Sequence, residues 1–168
     1  VSFGERAIER IKARTSKVQS WFLDLQLVMS YWGGEGKRAY HHTAPINLLY
    51  GLHEALVILK EEGLEAAWAR HARNHLALRA GFEAMGLEFV VHEAYRLPQL
   101  NAVSVPDGVD EAAVRAALLK DYSLEIGAGL GAMAGKIWRV GLMGHAANPK
   151  NVFTCRGAMD AVVSAMKS

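Results

Sequence analysis

The sequence predicts an α/β chain in which long helices come first and a small sheet with helices laid on it comes second. Three observations carry that expectation. Apolar residues recur at helical spacing as far as Gly86. Beyond it the apolar runs shorten to strand length and are bounded by turn formers such as "PDG". Glycine, proline, asparagine and aspartate stand where helices should start and stop.

Taken in order, Ala7, Ile8 and Ile11 place a helix over residues 5–14, and "WFLDLQLVMSYWG" repeats the pattern with more apolar weight. "GEGKRAYHHTAP" then breaks the period with Gly34, Gly36 and Pro45, and Pro45 suits the first turn of "PINLLYGLHEALVILKEE". Gly63 ends that helix. "LEAAWARHARNHLALRAGFEAM" follows, with Leu64, Trp68, His71, His75, Leu78 and Phe82 on related faces and Gly86 at its end. "LEFVV" and "LNAVSV" read as strands, Asp110 caps the helix "EAAVRAALLKDY", and "LEI" and "KIWRVGLM" are strands flanking a glycine-rich loop. "NPKNVFTCRGAMDAVVSAM" closes the chain as a helix capped near Asn148. No internal repeat or low-complexity linker interrupts this order.

The totals narrow the function classes. At 168 residues and 51% apolar composition, one domain can bury about two-thirds of its unfolded surface. Nineteen basic against seventeen acidic residues leave a net charge of +2, scattered without a stripe, so nucleic acid is not an expected partner. Charged residues or histidine interrupt every long apolar segment, so no run reaches the roughly 18 to 20 residues that span a bilayer. The single cysteine, Cys155, demands no oxidising compartment, and a soluble chain of the reducing cytosol is expected. The amphipathic opening resembles a transit peptide, but Glu5 and Glu9 argue against one, and the start at Val1 reads as a cut end.

Gly127, Gly129 and Gly131 invite a dinucleotide-binding reading. That reading requires a strand leading into a helix, whereas this loop feeds the strand "KIWRVGLM", where glycines permit tight turns and close backbone approach. On that strand Arg139 points away from Trp138 and Val140 and shares its face with Ile137. Its planar fork needs an anion, either an internal Asp or Glu or a substrate carboxylate or phosphate, and the internal ion pair is the expectation from pattern alone.

"RAYHHTAP" sets the hydroxyls of Tyr40 and Thr43 around His41 and His42 just before a helix, a suitable arrangement for phosphate. The alternative is a loop in which Thr43 caps that helix and the histidines pack. A metal there is disfavoured because consecutive side chains rarely converge on one ion. His71 and His75 have zinc-compatible spacing, yet Ala72 stands where a metalloprotease has its base and Arg70, Arg73 and Arg79 would repel a cation, so packing is expected. Arg156 beside Cys155 could lower the thiol pKa, against the commoner packing role.

The runs "SWFLDL", "YWGGEGKRAYHHTAP", "GLEAAWARH", "RLPQLNAVSVP", "LEIGAGLGAMAGK" and "WRVGLMGHAA", in that order, resemble the class V aminotransferases. These are pyridoxal-phosphate enzymes of fold type I, and the likeness is to their alanine:glyoxylate, serine:glyoxylate and serine:pyruvate group. The resemblance implies interdomain helices over residues 1–62, including a cofactor-phosphate loop at 33–45. It also implies a C-terminal α+β small domain over 63–168, with a small, largely antiparallel sheet and helices on one face. Arg139 corresponds to the arginine that binds the substrate carboxylate, and Tyr40 and Thr43 to residues that reach the cofactor phosphate of the other subunit in a homodimer. Small amino acids and 2-oxo acids are the implied substrates.

Departures are the Gly127-Ala128-Gly129 run and Ala132, where relatives often carry Gly-Gly-Gly or Met-Gly-Gly and proline. The family's Schiff-base lysine, ring-stacking aromatic and ring-nitrogen aspartate match positions upstream of Val1. The expectation is therefore the C-terminal portion of such an enzyme, with stand-alone catalysis unsupported; the rival is a non-catalytic remnant or docking subunit.

Overall fold

The computed structural model describes residues 2–32 and 39–167. The chain divides into two compact units, Val1–Leu56 and Val57–Ser168.

In the first unit, α1 spans Glu5–Lys12 and α2 spans Leu25–Trp32. The single helix expected over "WFLDLQLVMSYWG" is instead a 3-10 turn at Trp21–Leu23 followed by α2. Asp24 causes the break: its carboxylate accepts from Gln26 N at 3.0 Å and its carbonyl from Val28 N at 3.0 Å, which makes it an N-cap. Gln26 Nε2 donates to Ile11 O at 2.7 Å and ties α2 to α1. Residues 33–38, the first part of the expected phosphate loop, lie outside the described residues. Helix α3, Ile46–Glu62, starts behind Pro45, whose carbonyl accepts from Leu49 N at 3.0 Å, and it buries none of its residues.

The second unit carries the sheet. Gly63, at φ +84°, separates α3 from α4, Leu64–Ala84, and Gly86, at φ +74°, reverses the chain after it. Strand β1 (Leu100–Ser104), helix α5 (Glu111–Tyr122), strands β2 (Gly127–Ala128) and β3 (Ile137–Gly141) and helix α6 (Pro149–Lys167) complete it. The Asp110 carboxylate accepts from Ala112 N and Ala113 N at 2.9 and 3.0 Å, and Asn148 Oδ1 accepts from Asn151 N at 2.9 Å, so both expected caps form.

The sheet order is β1-β3-β2, antiparallel throughout, with β3 central. Alternation along the strands sends Val103, Trp138 and Val140 into the core, where they join Leu78 and Phe82 of α4, Val114 and Leu118 of α5 and Met159 of α6. Trp138 is fully buried, and its indole N–H donates to Glu111 O at 3.2 Å.

Two expected strands differ. "LEFVV" forms only a bridge, Phe89 to Val103, with Val90 N donating to Ala102 O and Ser104 N to Glu88 O. "LEI" is not a strand: regular pairing begins at Gly127, because β2 needs the register opposite Arg139 and Trp138.

Candidate active-site residues

Arg139 lies half-buried at the middle of β3, on the face opposite Trp138 and Val140. Register places Ala102 of β1 beside it on one flank and Gly127 of β2 on the other. Its Nε–H donates to Ala128 O at 2.6 Å. Among the described residues no carboxylate pairs with it and no acceptor reaches Nη1 or Nη2. Among the described residues the internal ion pair expected from pattern is therefore not formed, since both cross-strand neighbours are small and apolar and offer no acid. A half-buried guanidinium with two unspent nitrogens is a site for an anion, and its planar geometry matches a carboxylate.

The glycine loop shapes this place by two different means. A Cβ on Gly127 would stand 3.3 Å from Arg139 Nη2 and 3.4 Å from Nε. A Cβ on Gly129 would collide with Met133 O at 2.0 Å. The first glycine makes room for the arginine and the second lets the loop close beside β3, where Gly129 N donates to Ile137 O at 3.0 Å.

Polar side chains of α4, with Asn101 of β1, secure the chain immediately after Arg139. Asn101 of β1 donates from Nδ2 to Val140 O at 3.2 Å and accepts from His75 Nδ1–H at 2.7 Å. Past the strand, Arg70 Nη1 donates to Gly144 O and Ala147 O at 2.8 and 2.9 Å, and Asn74 donates to Ala147 O at 2.9 Å. His71 accepts at Nε2 from Gly144 N, 3.2 Å away, and donates from Nδ1 to Ala67 O at 2.6 Å. This fixes the neutral tautomer and commits both ring nitrogens to the backbone.

Arg70 is in turn held by both oxygens of Glu62, which lowers the Glu62 carboxyl pKa, chiefly through that hydrogen bond. The expected packing role of His71 and His75 thus has specific partners. Sequence reasoning missed Asn74 and Asn101 as ties to the chain after Arg139. The available signal was the buried polar series His71, Asn74 and His75 along one face of a helix.

In the first unit Tyr40 and Thr43 come together, Tyr40 Oη lying 2.6 Å from Thr43 Oγ1, and both residues are exposed. Thr43 therefore spends its hydroxyl on Tyr40 and not on capping α3. His41 anchors the run: it is buried, stacks on Trp21 with centroids 4.1 Å apart, and donates from Nε2 to Trp21 O at 3.1 Å. Its Nδ1 then accepts from His42 Nδ1–H at 2.7 Å. With the intervening histidine turned inward, the two hydroxyls share one outward side. One O–H can be spent within the pair and the other remains for an external anion, so the pair fits a phosphate.

Cys155 takes the commoner packing role: it is buried, and burial pushes its thiol up to about 12, so the neighbouring Arg156 does not lower it. Among the described residues no group of three or more His, Cys, Asp or Glu is placed to hold a metal ion, and no helix is long and apolar enough to cross a membrane.

No family model matches the chain. Relatives do. The chain is 42% identical over 154 residues to an alanine–glyoxylate aminotransferase of Drosophila melanogaster, covering 90% of this chain and 39% of that protein. The crystal structure of an alanine–glyoxylate aminotransferase from Nostoc sp. superposes with a TM-score of 0.86 at 46% identity, over 96% of this chain and 42% of that one. That of ureidoglycine–glyoxylate aminotransferase from Bacillus subtilis gives 0.87 at 35% identity, over 99% and 43%. The chain spans less than half the length of these relatives. Its small antiparallel sheet, its helices and its run of matching residues place it among the class V aminotransferases, to whose C-terminal part it corresponds.

Proposed function

We propose that this chain is part of a pyridoxal-phosphate aminotransferase that moves an amino group from alanine or serine to glyoxylate or pyruvate. The observation that carries the proposal is Arg139, a half-buried guanidinium whose Nη1 and Nη2 meet no acceptor among the described residues. Both substrates in such an exchange carry a carboxylate, so one fork serves each in turn and presents the reacting carbon in a fixed orientation. The solved alanine–glyoxylate enzyme with the same fold supports the substrate class.

Tyr40 and Thr43 would hold the cofactor phosphate as a hydrogen-bonded pair with one O–H left to donate, at a loop kept in shape by buried His41. When bound, pyridoxal phosphate supplies an electron sink for the substrate's amino-bearing carbon. The chain's own part is recognition: Arg139 binds and orients the carboxylate, Gly127 and Ala128 keep the guanidinium in place, and Tyr40 with Thr43 bind phosphate. We further propose a homodimer in which these hydroxyls serve the partner's cofactor. Exposed apolar residues of α3, among them Leu48 and Tyr50, give such an interface material.

The test uses the complete polypeptide. It should transfer amino groups from alanine or serine to glyoxylate in a pyridoxal-phosphate-dependent way. The Tyr40→Phe/Thr43→Ala double variant should weaken cofactor affinity about tenfold or more, read by equilibrium dialysis. Unchanged cofactor affinity removes the two hydroxyls from the phosphate site, and no transfer with any of these pairs removes the substrate class.

A further inference from the structure

We propose that Gly127 is a positioning residue for Arg139: its missing side chain lets the guanidinium lie against β2 and bind the substrate carboxylate end-on, through Nη1 and Nη2. The inference rests on the carboxylate-binding reading of Arg139 and specifies how that site is built.

Two edges of a guanidinium can take a carboxylate in a bidentate fashion, the Nε/Nη2 edge and the Nη1/Nη2 edge. The first is spent, because Nε donates to Ala128 O at 2.6 Å. Only the second can close on both carboxylate oxygens. That choice depends on contact with β2, since Ala128 O is reached only when the arginine lies over Gly127, its direct cross-strand partner.

Glycine at 127 is not required by its backbone, which lies outside the left-handed region that Gly131 and Gly135 occupy. The requirement is space. A Cβ there would meet Arg139 Nη2 at 3.3 Å, Nε at 3.4 Å and Cβ at 3.5 Å, all on the one side chain. An alanine methyl would shift the guanidinium by a few tenths of an ångström, enough to lengthen the bond to Ala128 O. Branched residues would displace it further. On the opposite flank Ala102 is again small, so nothing on β1 compensates by pinning the arginine from that side.

The experiment is a double-mutant cycle in the complete, cofactor-loaded enzyme. Gly127→Ala and Gly127→Val are each made with Arg139 intact and with Arg139→Lys, and KM and kcat are measured for alanine and glyoxylate together with the melting midpoint. With Arg139 intact, Gly127→Ala should raise both KM values about three- to tenfold with kcat within about twofold, and Gly127→Val should raise them more. With Arg139→Lys, which has no Nε to lose from Ala128 O, Gly127→Ala should shift KM by less than about twofold.

An unchanged KM in Gly127→Ala overturns the inference, as does an equal shift in both backgrounds, which would make Gly127 merely structural. If Arg139→Lys alone leaves both KM values unchanged, the carboxylate-binding reading itself fails. Should Gly127→Val not fold, Gly127→Ala decides the matter alone, since its contacts are with one flexible side chain.

Discussion

Replacing Gly129 by alanine should damage the loop beside Arg139 more than the same change at any other loop glycine. A Cβ at 129 would stand 2.0 Å from Met133 O, 2.6 Å from Met133 C and 2.9 Å from Ile137 Cγ1. Non-bonded heavy atoms settle at about 3.5 Å, so the carbonyl would have to retreat by roughly 1.5 Å. That carbonyl accepts from Lys136 N at 3.1 Å, and Gly129 N itself donates to Ile137 O at 3.0 Å, so relief of the clash costs at least one of these bonds.

Overpacking of about 1 to 3 kcal/mol plus one lost hydrogen bond of about 1 kcal/mol gives a destabilisation of about 2 to 4 kcal/mol. Gly131 is the control: it sits at φ +55° with open space around its Cβ position, so alanine there costs only the left-handed penalty of about 1 to 2 kcal/mol. Thermal unfolding of the two variants of the complete protein, followed by circular dichroism, ranks them. A Gly129→Ala midpoint within a degree of the parent, or above that of Gly131→Ala, would refute the steric argument.

Two further outcomes follow from buried groups. Asn101→Ala should destabilise by about 2 to 3 kcal/mol, because it leaves the His75 Nδ1–H without its acceptor in the core, and a cycle with His75→Ala should show coupling of about 1 kcal/mol or more in urea unfolding. Additive single effects would contradict the pairing. Cys155 should resist alkylation by iodoacetamide at pH 8 in the folded protein, with the thiol held protonated up to about 12. Because its folded pKa is raised, the native state keeps a proton that the unfolded state releases near pH 8.5. Stability should then fall by about 1.4 kcal/mol per pH unit between roughly pH 9 and 12, relative to Cys155→Ala. A variant with the same pH slope as the parent would contradict the burial effect.

Local chemistry was legible in the sequence wherever one residue decides the backbone. Gly63 and Gly86 end helices because their positive φ suits glycine, and Asp110 and Asn148 start helices because a short side-chain acceptor reaches the first free N–H groups. Asp24 used the same chemistry but sat inside an apolar run whose periodicity outweighed it. "LEFVV" has strand composition, yet its pairing is settled by β1, which lies more than ten residues downstream.

The site divides in the same way. The strand position and face of Arg139 follow from alternation, and the closeness of Tyr40 and Thr43 follows from their spacing around an inward histidine. What satisfies Arg139 was not legible, because it turns on which residues β1 and β2 place across from it. Ala102 and Gly127 offer no acid, and the partner became a backbone carbonyl that no composition records. The contacts from His71 to Gly144 and from Asn74 to Ala147 each join residues 73 positions apart and depend wholly on the packing of α4 against the end of β3.

The most direct test of the account is the kinetics of Arg139→Ala in the complete enzyme with alanine and glyoxylate. Loss of a charged, bidentate contact predicts a raised KM for alanine and a kcat/KM lowered by about 2 to 4 kcal/mol in transition-state terms, roughly 30- to 1,000-fold, with cofactor affinity retained. Unchanged kinetics would contradict the claim that this arginine receives the substrate carboxylate.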